Sequence, residues 1–219
     1  MSTTPTRPIL RYHGGKWRLA PWIMSVFPAH RTYTEAFGGA ASVLLRKPRS
    51  YAEIYNDLDG EIVNLFRILR DPGASEELSR LVALTPFSRQ EFEDSYEPSP
   101  NAVEQARRTL FRSAAGFGTG AHGVYGTGFR SNVTRSYSTP ADNWTDMPNI
   151  VAQVSGRMRG VIIEHRPAIE ILQRYDGPDT LHYVDPPYQF ETRSAPSAGK
   201  VYRHEMSDQD HIDLATVLR

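Results

Sequence analysis

The chain of 219 residues contains no cysteine. Disulfides, thiolate metal sites and a thiol nucleophile are thereby excluded. It also has no excess charge: 25 Lys+Arg balance 25 Asp+Glu. A basic footprint over the whole chain, the electrostatic mark of many nucleic-acid binders, is missing. No apolar run approaches the roughly 18 residues of a membrane helix. The opening MSTTPTRPILRYHGG has no apolar h-region, so no secretory signal is expected. The histidines show no HExxH or other ligand spacing, and no metal is expected. What remains is globular in character, 39% hydrophobic and 23% charged. That suffices for one sizeable core, or one core and a small inserted module.

The balanced charge hides a segregation. Residues 101–140 carry Arg107, Arg108, Arg112, Arg130 and Arg135 against Glu104 alone, while 71–100 are acidic. A solvated face explains such blocks as well as a partner does.

Thr32–Phe37 reads as a strand, followed by a glycine turn and a helix from about Ala40 to Arg46. Tyr51–Tyr55 reads as a second strand. Asp59 then opens a helix with Ile62, Leu65, Phe66 and Leu69 at helical spacing. Trp17–Phe27 reads as an earlier helix stopped by Pro28. Strands also fit Val161–Glu164 and Leu181–Val184, with helices at Asn149–Arg159 and Pro167–Tyr175. This alternation predicts an α/β fold with a parallel sheet. Residues 71–148 interrupt it with two or three helical stretches, among them Val103–Ala115, and a glycine-rich arm over Gly116–Thr139. Ser207 and Asp210 form a capping-box pattern for a last helix, in which Ile212, Ala215 and Leu218 share a face.

Four segments carry chemistry. Asp185-Pro186-Pro187-Tyr188 follows a strand, where ligands of open α/β sheets bind. The two prolines stiffen the backbone and remove two donors. What is left is a carboxylate, outward carbonyls and an aromatic ring, a set that suits a flat aromatic amine. Asp185 and the Pro186 carbonyl can accept from an exocyclic amine while Tyr188 stacks on the ring. Glu35-Ala36-Phe37-Gly38-Gly39 is a turn that a ligand can approach closely. Asp57 ends the second strand, where an acid can hold ribose hydroxyls or simply cap a helix. Arg11-Tyr12-His13-Gly14-Gly15-Lys16 is no Walker A loop, since Trp17 stands where Ser or Thr belongs.

In this order the motifs resemble the Dam-like N6-adenine DNA methyltransferases: HGGK at 13–16, TEAFGGAAS at 34–42, an insert at about 71–148, and DPPY at 185–188. GFRSNVTRS and YRHEMSDQDH are similar to segments of phage-borne members. The resemblance covers essentially the whole chain. It implies a Rossmann-like methyltransferase core with strand order 3-2-1-4, formed by 1–70 and 149–219, and a mainly helical target-recognition domain at 71–148. It implies S-adenosylmethionine (SAM) as methyl donor, no metal, and double-stranded DNA as substrate, with base flipping. By motif match, Tyr12, Gly15, Lys16, Glu35, Phe37, Gly39, Asp57 and Asp185 would hold the donor. Asp185, Pro186, Pro187 and Tyr188 would form the catalytic corner. Arg11, Arg112, Arg130 and Arg135 would meet DNA. Ala41 stands where the motif's final glycine belongs, and the arm lacks the FNVPFG-like segment of the cellular GATC enzymes.

The family sheet has seven strands, and residues 189–219 hold only a loop and a helix. A truncated product, or a sheet completed by another chain, is therefore expected; otherwise the protein would be a monomer. A bacterial or phage-infected cytoplasm is the expected compartment. A catalytically inactive DNA- or SAM-binding remnant, and an enzyme acting on cytosine N4 or on RNA, stay open as alternatives.

Overall fold

The computed structural model describes residues 4–118, 126–131, 138–189, 192 and 202–219. Four parallel strands form one sheet: β1 (Thr32–Glu35), β2 (Ala52–Asn56), β3 (Ile162–Glu164) and β4 (Thr180–Tyr183). Their spatial order is β3-β2-β1-β4, the order expected from the sequence. Thr34 of β1 sits opposite Ile54 on one side and His182 on the other.

Alternation along the strands sends side chains to two layers. Tyr33 and Tyr55 join the larger core, and Ile54 joins the smaller. The larger core takes its helical side from α2 (Gly60–Arg70), α3 (Pro72–Leu84), α5 (Ala102–Ala115) and α7 (Met147–Met158). Ile62, Leu65, Phe66 and Leu69 of α2 are all fully buried there, as their spacing predicts. The smaller core lies under α8 (Ala168–Tyr175) and α9 (Asp208–Val217). The described residues of 71–148 hold four helices where two or three were expected, two of them, α4 (Arg89–Asp94) and α6 (Pro140–Thr145), only six residues long. These helices do not enclose a core of their own: Leu78, Phe92, Leu110 and Trp144 belong to the same cluster as Tyr33 and Tyr55.

Three elements depart from expectation. The helix α1 spans only Ala20–Ser25, with no side-chain cap at Leu19. Ala40–Arg46 is a chain of turns instead of a helix. There the Leu44 N–H is taken by the Glu35 carboxylate at 2.6 Å, which interrupts the helical pairing that Leu45 and Lys47 still make to Ala41 and Val43. On α9 the buried residue is Leu214, whereas Ile212 and Leu218 are more than half exposed. The helix therefore docks through a different face from the one its sequence predicts. Its capping box, Ser207 with Asp210, is present as expected.

Among the described residues no strand pairs with the outer edge of β4. No helix of the described residues is long and apolar enough to cross a membrane.

Candidate active site

The carboxyl ends of β1, β2 and β4 lie side by side, so the loops that leave them converge. Asn56, at the end of β2, ties the loop after β1 to the loop after β3. Its amide nitrogen donates to the carbonyls of Ala36 and Arg166, both at 2.9 Å, and its oxygen accepts from the Arg166 N–H at 2.9 Å. Above them lies a cavity of about 260 Å³. It is lined by Tyr12, Gly15, Lys16, Glu35, Phe37, Gly39, Asp57, Asp185, Pro186 and Pro187, with Pro167–Ile169 and Tyr202–Met206. All eight residues expected to hold a donor thus share one cavity.

The glycine turn is shaped by contact. Gly38 lies against the Tyr55 ring, and a Cβ there would stand 2.2 Å from its edge. Gly39 has φ +47°, and a Cβ would stand 2.8 Å from the Tyr12 ring. The Tyr55 hydroxyl donates to the Gly39 carbonyl at 2.7 Å. Ala41, at the place of the motif's last glycine, has φ +52°. An L-residue held there costs about 1–2 kcal/mol, which is the physical reason for glycine at that position.

Asp57 is not the cap of α2; that is Asp59, whose side chain accepts from the Glu61 N–H. Asp57 instead accepts from the Gly39 N–H at 2.7 Å and the Asp59 N–H at 2.8 Å. It clamps the glycine turn to the end of β2. A carboxylate has about four acceptor positions, so two remain for a ligand hydroxyl pair. Burial pushes its pKa up despite the two backbone hydrogen bonds.

Asp185 forms an ion pair with Lys16 at 2.7 Å. The Lys16 ammonium also donates to the Gly14 carbonyl at 2.8 Å and lies 5.2 Å from the centre of the Tyr188 ring. Burial pulls the Lys16 pKa down, but bonding to Asp185 and Tyr188 outweighs it and the net shift is upward. The HGGK turn and the DPPY corner, some 170 residues apart in the chain, are thus joined by charge. Tyr188 follows the cavity-lining Pro187 in the chain and is 47% exposed.

Glu35 is fully buried, accepting from the Tyr33 hydroxyl at 2.8 Å and from Leu44. Burial raises its pKa to about 7, opposed by those two donors and Arg157 and reinforced by the charge of Asp185. The folded state therefore holds on to a proton that the unfolded chain releases near its ordinary value of 4.5. Stability from this group is complete below that value and is lost as pH rises through about 7. The expected loss is about 3 kcal/mol. In urea unfolding, wild type should weaken across this range relative to Glu35→Gln, which carries no titrating proton. Parallel pH profiles for the two proteins would refute the assignment.

The arginines expected to meet DNA fare differently. Arg112 is a correction. It is 2% exposed, donates to the Ser95 carbonyl at 2.9 Å and pairs with Glu61, so it is part of the core and offers nothing to a groove. It lies within α5 and not in the arm. Arg11 and Arg130 are partly exposed at the base of the arm, where Gly116 bridges Phe129 and the Arg130 N–H donates to the Ala115 carbonyl at 2.7 Å. Arg11 Nη1 donates to the Gly116 carbonyl at 3.1 Å. Arg135 lies outside the described residues.

A family model for the D12 class N6 adenine-specific DNA methyltransferases matches residues 12–219. The chain belongs to this family. A search of curated proteins found no match. A D12-class enzyme methylates N6 of adenine in DNA, and the Asp185–Tyr188 corner beside a wide cavity is consistent with that chemistry.

The motif reading missed the segment Tyr202–Met206, which closes the far side of the cavity. Tyr202 packs its ring against His13, with centroids 5.3 Å apart, and its hydroxyl lies over Gly14. Arg203 reaches Asp59 at 3.3 Å and Glu61 at 3.2 Å. The only sequence signal was its inclusion in YRHEMSDQDH, which carries no spacing rule.

Proposed function

We propose that this D12-class methyltransferase transfers a methyl group from SAM to the N6 amine of an adenine flipped out of duplex DNA. The observation that carries this reading is the meeting of the Asp57–Gly39 clamp and Asp185–Pro187 in one cavity, with Tyr188 next along the chain.

The residues present fit such a donor. Asp57 keeps acceptor positions free for the ribose. Phe37, Ile169 and Met206 offer apolar lining for the adenine. The acids Asp57, Asp59, Asp185, Glu205 and Asp210 outnumber Lys16 and Arg203 around the cavity, which favours a cationic ligand. When bound, the donor supplies a methyl group on a positively charged sulfur. No metal is required for that electrophile.

The chain's own work is alignment, a lever worth about 7–11 kcal/mol in well-oriented reactions. An adenine inside the duplex cannot reach the cavity, so it must leave the stack at a cost of a few kcal/mol. Stacking against the Tyr188 ring offsets part of that cost. Asp185 and the Pro186 carbonyl then accept the two amine hydrogens. This favours a pyramidal nitrogen whose lone pair points at the donor. Lys16 must give up part of its hold on Asp185 as the amine arrives. The segment 71–148 serves as the target-recognition region, with Arg11 and Arg130 at the base of the arm positioned for phosphate or base contact.

The test is transfer of tritiated methyl from SAM to duplex DNA, followed by nucleoside analysis. Label in N6-methyladenine is expected. Folded protein that leaves adenine unlabelled, or that labels cytosine, would overturn the reading.

A further inference from the structure

The carboxylate of Glu61, at the start of α2, is divided between two arginines from distant parts of the chain. One oxygen accepts from Arg203 Nη1 at 3.2 Å, on the segment that closes the cavity. The other accepts from Arg112 Nη2 on α5. Arg112 in turn donates to the Ser95 carbonyl at 2.9 Å and lies 5.3 Å from the centre of the Tyr96 ring. The Tyr96 hydroxyl accepts from the Thr127 N–H at 3.1 Å, and the same ring supports Gly126, both on the returning limb of the arm. A continuous set of polar contacts therefore runs from the wall of the cavity to the arm.

This set has a second arrangement available. Arg112 Nε is buried and has no hydrogen-bond partner. Nε and Nη2 form the edge of a guanidinium that takes a carboxylate with two parallel bonds. While Arg203 holds one oxygen of Glu61, that two-bond pairing is incomplete. If Arg203 withdraws, Glu61 can turn both oxygens to Arg112 and satisfy the orphaned Nε. The guanidinium then shifts against the Ser95–Tyr96 turn on which Gly126 and Thr127 rest.

We propose that Glu61 is a positioning residue that couples occupancy of the donor cavity to the DNA-reading arm through this exchange between Arg203 and Arg112. The proposal rests on the donor reading above. Tyr202 and Met206 line the cavity, so a bound donor touches this segment only when it is docked. Docking fixes Arg203 on Asp59 and Glu61, and thereby fixes the arrangement of Arg112 under the arm. The donor thus sets the position of residues 126–130 for DNA before the base is extruded. Because coupling is reciprocal, DNA bound at the arm tightens the donor in turn.

The test is hydrogen–deuterium exchange of the full chain with and without S-adenosylhomocysteine, in wild type, Glu61→Gln and Arg203→Gln. Arg203 is a third exposed and outside both cores, so its variant keeps the fold and carries the test if Glu61→Gln does not. In wild type the ligand should slow exchange at residues 95–96 and 126–130 by about fivefold or more, the lower end of typical coupling. In Glu61→Gln, whose site lies outside the cavity lining, the ligand should still protect the Gly38–Gly39 turn but leave 95–96 and 126–130 unchanged; Arg203→Gln, which lines the cavity, should do the same at an S-adenosylhomocysteine concentration that restores Gly38–Gly39 protection. Equal distal protection in wild type and variants overturns the proposal alone, as does protection of Gly38–Gly39 without any distal effect in wild type. If S-adenosylhomocysteine protects nothing, the donor reading falls and this proposal falls with it.

Discussion

Replacement of Asp185 by asparagine should cut methyl transfer to DNA by about 10²–10³-fold, the scale for removing one aligned polar group from a reacting centre. Asparagine keeps the shape of the side chain and one carbonyl oxygen. It loses the charge that strengthens bonds from an amine and the ion pair with Lys16 at 2.7 Å. With Lys16 unpaired, its ammonium stays near the Tyr188 ring, now without a counter-charge. Donor binding should change far less, because Asp57 and the glycine turn are clamped to each other and not to Asp185. The expected signature is a collapse of kcat with a modest change in the KM for the donor. Lys16→Met makes the informative comparison. It removes the same ion pair and leaves the Asp185 carboxylate free to accept from the amine, so it should retain much more activity than Asp185→Asn. Equal losses in the two variants would mean that the ion pair, and not the carboxylate as acceptor, is what the reaction needs.

The sheet was legible because each strand announces itself locally. Thr32–Glu35 and Ala52–Asn56 are short, rich in β-branched and aromatic residues, and end in glycine or Asn-Asp. The order of strands came from the family resemblance, not from these runs. The donor-side residues were legible for a related reason: close approach demands glycine at 38 and 39, and a clamp at the end of β2 demands an acid. What was not legible depended on contacts made at long range. Ala40–Arg46 has helical composition, yet the Glu35 side chain takes one of its amides. Arg112 has the charge and location of a DNA ligand in the sequence. Its helical phase on α5 turns it into the core, where Glu61 waits from another helix. Ile212 and Leu218 have the right period for a buried face, but Leu214 is the residue that fits between α8 and the sheet. Burial and pairing of charges follow from tertiary geometry, and a linear pattern carries little of it.

The largest stability effect should come from Glu53, far from any ligand. Its carboxylate is 3% exposed and accepts from Arg157 Nη1 at 2.6 Å, Arg157 Nη2 at 2.8 Å and Lys47 Nζ at 2.8 Å. The Ser50 N–H adds a fourth bond at 3.1 Å. Burial pushes the Glu53 pKa up, but the bonds and charges of Arg157 and Lys47 prevail and hold it below the ordinary carboxylate range. This group therefore stabilises the fold above that range and loses its contribution as pH falls through it, the opposite sense to Glu35. Glu53→Ala leaves two buried cations facing each other with no anion between them. The expected cost is about 3–5 kcal/mol, the scale for breaking a buried pair from one side. That is a large part of the 5–15 kcal/mol or so that holds a typical domain. Lys47→Met should behave differently. Burial already drives the Lys47 pKa down, with Glu53 only partly restoring it. Its removal leaves a neutral, two-bond Arg157–Glu53 pair, so the loss should be well under half that of Glu53→Ala. Denaturant unfolding of the two variants measures the contrast. If Lys47→Met costs as much as Glu53→Ala, the cluster acts through packing around the Lys47 stem, and the excess of positive charge inside it is not what Glu53 restrains.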